Sequence, residues 1–221
     1  MDETGKKRKA RIIRLGQSGD FQKAVQTAAD ILLSGGLVVC PTESVYGLAV
    51  DAANEEAVKR LFLVKRRQIG LPILILLPSA EALSRYAAHI PSVARRLIEE
   101  FWPGGLTIVF EARQTVSSLL TAGTGKIGVR LSIHPVATAL AQAAGAAITG
   151  TSANMSGFPA CCNAKEVLRV FEEKVDLVLD CGEVKGGAGS TILDVTFDPP
   201  RILRDGMIDR VRLKKFLSAK I

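Results

Sequence analysis

LVVCPTESVYGL, residues 37–48, decides the reading of the fold. Its first four residues are an unbroken apolar run that ends at Pro41, too short for a helix and suited to a strand buried on both faces. The polar residues Thr42, Glu43 and Ser44 follow at once. Open α/β sheets gather their ligands in that place, just beyond strand ends. Outward from this stretch, residues 21–33 carry helical periodicity, with Asp20 as N-cap and Gly35-Gly36 as the stop. Asn54 caps a second helix, which has Glu55 and Glu56 in its first turn and Lys65-Arg66-Arg67 at its end. Those charges complement the helix dipole at both ends. Further strands are expected near 73–77, 106–110, 127–131, 146–149, 177–179, 191–195 and 201–203. Helices are expected near 80–88, 92–101, 135–144 and 164–173, with a basic one at the end.

Several strands arrive without a helix between them. The fold class is therefore α/β, a twisted mixed parallel/antiparallel sheet flanked by helices. No break in composition divides the chain, so residues 15–221 read as one domain behind a basic, flexible tail at 1–14.

With 221 residues and 48% of them hydrophobic, the chain can bury a sizeable core. The net charge of +7 suggests nucleic acid until it is located. Residues 1–14 hold six Lys/Arg against two acids, and residues 201–221 hold seven against two. The stretch between them has sixteen bases and eighteen acids, so the excess sits at the two ends. Such runs are usually solvated. Cys40, Cys161, Cys162 and Cys181 form no C-x-x-C spacing, and the only histidines are His89 and His134, which argues against a zinc site or a disulfide framework. The longest apolar run lies far below a membrane span. A cytoplasmic protein with no membrane partner is expected.

Familiar catalytic motifs fail on context. Gly123-Thr124-Gly125-Lys126-Ile127-Gly128 matches G-x-G-x-x-G, but a strand follows it where a dinucleotide fingerprint needs a helix, so it reads as a loop. Ser152 lacks a nucleophile elbow, and His134 has no evident triad partner. A different pattern remains. Thr42, Ser152, Asn154 and Ser190 sit just past apolar elements, and Lys65, Arg67, Arg130 and Arg204 lie at other element ends. Arginines bind phosphate in a bidentate way, and hydroxyls with an amide read a nucleoside or an amino acid. Taken alone, each residue also fits a turn or a helix cap. Composition and spacing reach an anion-binding α/β protein and stop there.

At these residues the sequence resembles the YrdC-like family, the threonylcarbamoyl-adenylate synthases, in its short form, from about residue 20 to 208. Pro41-Thr42-Glu43-Ser44-Val45-Tyr46-Gly47-Leu48 is similar to the family's opening signature, Lys65-Arg66-Arg67 to its Lys-x-Arg and Ser152-Ala153-Asn154 to its Ser-x-Asn. Phe101-Trp102-Pro103-Gly104, Gly128-Val129-Arg130, His134-Pro135, Gly189-Ser190-Thr191 and Leu203-Arg204-Asp205-Gly206 follow in the family's order. Where the family usually has Gly between the Lys and the Arg, this chain has Arg66.

The resemblance implies a mixed sheet with a basic concave cavity. It also implies a reaction in which L-threonine, bicarbonate or CO2, and ATP, with Mg2+, give threonylcarbamoyl-AMP and pyrophosphate. A partner transferase then uses that product to modify tRNA to threonylcarbamoyladenosine (t6A). By the same resemblance Lys65, Arg67 and Arg204 hold phosphates, with Lys65 and Arg67 catalytic. Asn154 contacts the nucleotide with them, Ser152 bridges nucleotide and amino acid, and Thr42, Arg130 and Ser190 serve threonine or the carbamate. No protein-held metal site is expected. The alternative expectation is a module that binds structured RNA, tRNA or double-stranded RNA, without catalysis.

Overall fold

The structure, a computed structural model, describes residues 9–16 and 21–218. Strand β1 (Arg11–Arg14) leads to helix α1 (Phe21–Leu33), the hairpin strands β2 (Val38–Pro41) and β3 (Tyr46–Ala49), and helix α2 (Glu55–Lys65). Then come β4 (Ile75–Leu76), a 3-10 turn over Glu81–Arg85, α3 (Ser92–Phe101), β5 (Leu106–Glu111), the short α4 (Ser118–Thr121) and β6 (Lys126–Arg130). The chain closes with α5 (Pro135–Ala144), β7 (Ile148–Thr149), β8 (Thr151–Ser152), α6 (Ala164–Phe171), β9 (Leu177–Asp180), β10 (Thr191–Asp194), β11 (Arg201–Arg204) and α7 (Arg210–Ser218).

The strands form two sheets, in the orders β1-β9-β2-β3-β8 and β11-β10-β5-β6-β4-β7. Each mixes parallel pairs, such as β2 with β9 and β10 with β5, with antiparallel ones, such as β2 with β3 and β5 with β6. The mixed pairing expected from the sequence is present, divided between two sheets. In β2 the side chains alternate between two apolar clusters. Val38 and Cys40 pack with Ala28, Leu32 and Ala137 of α1 and α5, while Val39 packs on the other face with Phe62 and Val178. A strand covered on both faces has no polar positions to alternate with, hence the unbroken run.

The N-terminal boundary differs from the expected one. Arg11–Arg14 form the edge strand β1, paired in parallel with β9, and Ile13 packs against the α1–α5 cluster. Two adjacent isoleucines outweigh the flanking arginines, so the expected tail does not extend to residue 14. Residues 1–8 and the Asp20 cap lie outside the described residues.

Helix α2 starts as its sequence predicts, with the Asn54 side chain accepting from the Ala57 amide at 3.1 Å. It ends at Arg66, whose φ of 49° lies in the left-handed region. A side chain there strains the backbone by about 1 kcal/mol, and glycine does not. Arg66→Gly should therefore raise the thermal midpoint by about 2–4 °C. An unchanged or lower midpoint would show that the turn carries no such strain.

Candidate active-site cavity

A cavity of about 670 Å3 opens between the sheets, a size suited to a small-molecule ligand. Its walls come from β2, β3 and β8 of one sheet and from β5, β6, β10 and β11 of the other. Six of the eight residues singled out from the sequence line it: Thr42, Arg67, Arg130, Ser152, Ser190 and Arg204. Lys65 and Asn154 are absent from the lining and stand behind it.

The wall residues are placed by short-range bonding. Thr42 closes the β2–β3 turn, its hydroxyl donating to the Val45 carbonyl at 2.6 Å. That proton is engaged, so toward the cavity Thr42 accepts. Gly47 keeps the space next to it open, since a Cβ there would sit 3.4 Å from the Thr42 methyl. Ser190 shares a 2.7 Å hydrogen bond with Thr107, and Arg204 donates to the Ser190 carbonyl at 2.8 Å. Burial and the neighbouring Arg130 lower the pKa of the Arg204 guanidinium.

Arg130 forms an ion pair with Glu43, the two side chains only 7% and 8% exposed, and donates through Nε to the Gly104 carbonyl at 2.9 Å. Glu43 also accepts from the Ser132 hydroxyl at 2.9 Å. Burial pushes the Glu43 carboxyl up, but the Arg130 guanidinium and the Ser132 hydroxyl outweigh it and hold the group below the usual carboxylate value.

Arg67 reaches the wall after the turn at Arg66. Its Nη2 donates to the Pro72 carbonyl at 2.9 Å, and its Nε is buried with no hydrogen-bond partner among the described residues. Burial lowers its pKa. The Lys65 ammonium instead meets the Ser152 carbonyl, the Asn154 carbonyl at 2.9 Å and Asn154 Oδ1 at 3.0 Å. Burial and then the Arg67 charge bring its pKa down to about 8.

Two participants escaped the sequence reading. Glu43 lies inside the opening stretch but received no role, because its partner Arg130 lies far along the chain. Lys126, set aside with the glycine loop, lines the cavity with Thr124 and Gly128 and pairs with Asp194 at 3.0 Å. The signal was available: Lys126, Gly128 and Arg130 alternate along one strand, so they share a face, while Ile127 and Val129 are buried in the core. His134 accepts from the Val136 amide as the N-cap of α5.

The arrangement converges guanidinium groups and hydroxyls on one enclosed space, which suits an anionic ligand with polar substituents. Among the described residues, no group of three or more His, Cys, Asp or Glu side chains is placed to hold a metal ion.

The chain is 37% identical over 194 residues to the threonylcarbamoyl-AMP synthase of Pyrococcus abyssi, a match covering 88% of this chain and 57% of that protein. It therefore spans little more than half the length of that relative. Against the threonylcarbamoyl-AMP synthase of Halorhodospira halophila the identity is 36% over 155 residues, covering 70% of this chain and 81% of the other. The fold superposes on P. abyssi Sua5 complexed with L-threonine with a TM-score of 0.88 at 35% identity, covering 95% of this chain and 61% of that one. The family profile described as Sua5/YciO/YrdC, telomere recombination, matches residues 30–206, and on this match across most of its length the chain belongs to that family.

Proposed function

We propose that the chain makes L-threonylcarbamoyl-AMP from L-threonine, bicarbonate or CO2, and ATP, releasing pyrophosphate. The observation that carries this reading is the convergence of Arg67, Arg130 and Arg204 with the hydroxyls of Thr42, Ser152 and Ser190 on one cavity of nucleotide size. A Sua5 relative with the same fold is known in complex with L-threonine. In the proposed reaction threonine and CO2 give a carbamate, one of whose oxygens attacks the α-phosphorus of ATP. The bond from that phosphorus to the bridging oxygen breaks, and pyrophosphate leaves. Such a step needs alignment and charge neutralisation more than a proton-transfer residue.

In this reading Arg67 and Arg204 meet the phosphates, and Arg130, held rigid by Glu43, takes the threonine or carbamate carboxylate. Ser152 and Ser190 present hydroxyls between them. Among the described residues Asp194 is the one carboxylate of the wall, and it is engaged by Lys126 at 3.0 Å and by the Thr196 hydroxyl at 2.7 Å. The residues present do not fit a resident Mg2+; an ion would enter with the nucleotide's phosphates, as part of the substrate.

In this reading the product feeds a separate transferase that builds t6A in tRNA, and the chain works in the cytoplasm. Among the described residues no helix is long and apolar enough to cross a membrane. The RNA-binding alternative is less well supported, because these cations converge in a cavity and do not form an open stripe that tracks a backbone.

Substrate choice tests the proposal. With ATP and bicarbonate present, threonine should release pyrophosphate at least about a hundredfold faster than valine, because valine leaves the site's polar groups unpaired. Equal turnover of the two amino acids would sink the reading.

A further inference from the structure

We propose that Lys65 is a positioning residue, whose ammonium acts as a tethered monovalent cation that assembles the Ser152–Ser156 loop, and not a ligand of the nucleotide. The proposal rests on the reading that the cavity takes ATP and threonine, and it assigns a different task to one half of the Lys-x-Arg pair.

Hydrogen-bond stoichiometry carries the argument. An ammonium has three N–H donors and no acceptor. Those of Lys65 go to the Ser152 carbonyl, the Asn154 carbonyl and Asn154 Oδ1, so none is left for a phosphate oxygen. The side chain is fully buried, with 1% of the residue exposed, and it is not part of the cavity lining. Its backbone joins in, the Lys65 carbonyl accepting from the Ser156 amide at 3.0 Å. Two carbonyls and one amide oxygen around a single buried charge make the kind of oxygen cage that proteins offer to K+.

The consequence reaches the cavity through Asn154. The Ser152 hydroxyl, which does line the cavity, donates to Asn154 Oδ1 at 2.6 Å, the same oxygen that Lys65 holds. Asn154 Nδ2 donates onward to the Phe158 carbonyl at 2.6 Å. Lys65 thereby fixes the direction in which Ser152 presents its lone pairs. Without the charge, three part-buried oxygens converge with nothing between them, and the loop must open to hydrate them.

Lys65→Met keeps most of the length of the side chain and removes the ammonium with its charge. Without any nucleotide, amide hydrogen exchange over residues 153–161 should quicken at least about tenfold in this variant, with the rest of the fold unchanged. Pyrophosphate release should fall at least about thirtyfold, and NH4+ or K+ should restore both loop protection and much of the turnover, while bulky tetramethylammonium should not. Wild-type exchange in the ligand-free loop, with only ATP affinity lost, would overturn the proposal and return Lys65 to the phosphates. Failure of NH4+ and K+ to restore loop protection would overturn it too. The exchange measurement needs no turnover, so it stands even if the proposed reaction is wrong.

Should Lys65→Met not fold, the wild-type chain answers directly. Three hydrogen bonds should keep the Lys65 ammonium protected from solvent exchange and visible by nitrogen-15 NMR in the ligand-free protein. A rapidly exchanging ammonium there would overturn the proposal.

Discussion

Glu43→Ala is expected to destabilise the chain by about 3–5 kcal/mol, because it strands the buried Arg130 guanidinium without its counter-charge. Both side chains of the pair are over nine-tenths buried, so little solvent screening is available to soften the loss. Arg130 would keep one bond, from Nε to the Gly104 carbonyl. The Ser132 hydroxyl and the Ile133 amide would lose their acceptor at the entry to α5. The urea midpoint measures this effect, and a shift equivalent to less than about 1 kcal/mol would mean that the pair is hydrated in solution.

The double change Glu43→Leu with Arg130→Met should recover most of the stability, since an apolar pair can replace a buried ion pair. It should still abolish pyrophosphate release. Stability and function then separate on the same two residues.

The same pair sets an acid limb. The Glu43 pKa in the folded chain lies below its usual value of 4.5, so in that window the unfolded chain binds the extra proton. Its contribution is fully present above about pH 4.5 and is lost as the pH falls through the depressed value. Glu43→Gln should flatten that part of the stability profile.

The elements that were legible are those whose local pattern and tertiary fate agree. Helices α1 and α5 begin and end where periodicity, glycine and proline put them. Strand β2 was readable because burial on both faces leaves an unbroken apolar run. Strand β8 was not, since Thr151 and Ser152 are strand only by pairing with Leu48 and Gly47 of β3. Strand β3 itself was hidden by Gly47, which weakens a strand pattern but keeps this wall open.

The division within the site follows the same logic. Polar groups just past apolar elements marked Thr42, Ser152 and Ser190, and cations at other element ends marked Arg67, Arg130 and Arg204, all six on the wall. Lys65 and Arg67 were indistinguishable in sequence, because nothing in a Lys-x-Arg says that the residue between them turns left-handed. With that turn, one cation faces the interior and the other reaches the wall. Glu43 and Lys126 depend on partners far along the chain, Arg130 and Asp194, and no local pattern names such partners.

Arg67→Ala should leave the fold intact and nearly abolish turnover. As a mere helix cap, Arg67 would contribute about 0.3–1 kcal/mol of stability, and its loss would lower the melting temperature slightly. The structure gives it a different balance. One hydrogen bond, to the Pro72 carbonyl, anchors the guanidinium, while Nε is buried and unpaired. A buried donor without a partner opposes folding by about 1–3 kcal/mol. Removing it should therefore hold or raise the melting temperature. A phosphate in the cavity would meet the guanidinium that lines its wall and receive a charge-assisted bond in a partly desolvated setting. Such a contact is worth about 2–4 kcal/mol, or roughly thirty- to a thousandfold in pyrophosphate release.

Arg67→Lys sharpens the test. It keeps the charge but has no Nε at that position and no fork to share between Pro72 and phosphate, so it should recover little activity. Arg66→Ala, at an exposed position one residue earlier, should change neither stability nor turnover. Wild-type pyrophosphate release from folded Arg67→Ala would remove Arg67 from the phosphate site. A clear drop in its melting temperature with turnover intact would show that the guanidinium serves the helix end and not the ligand.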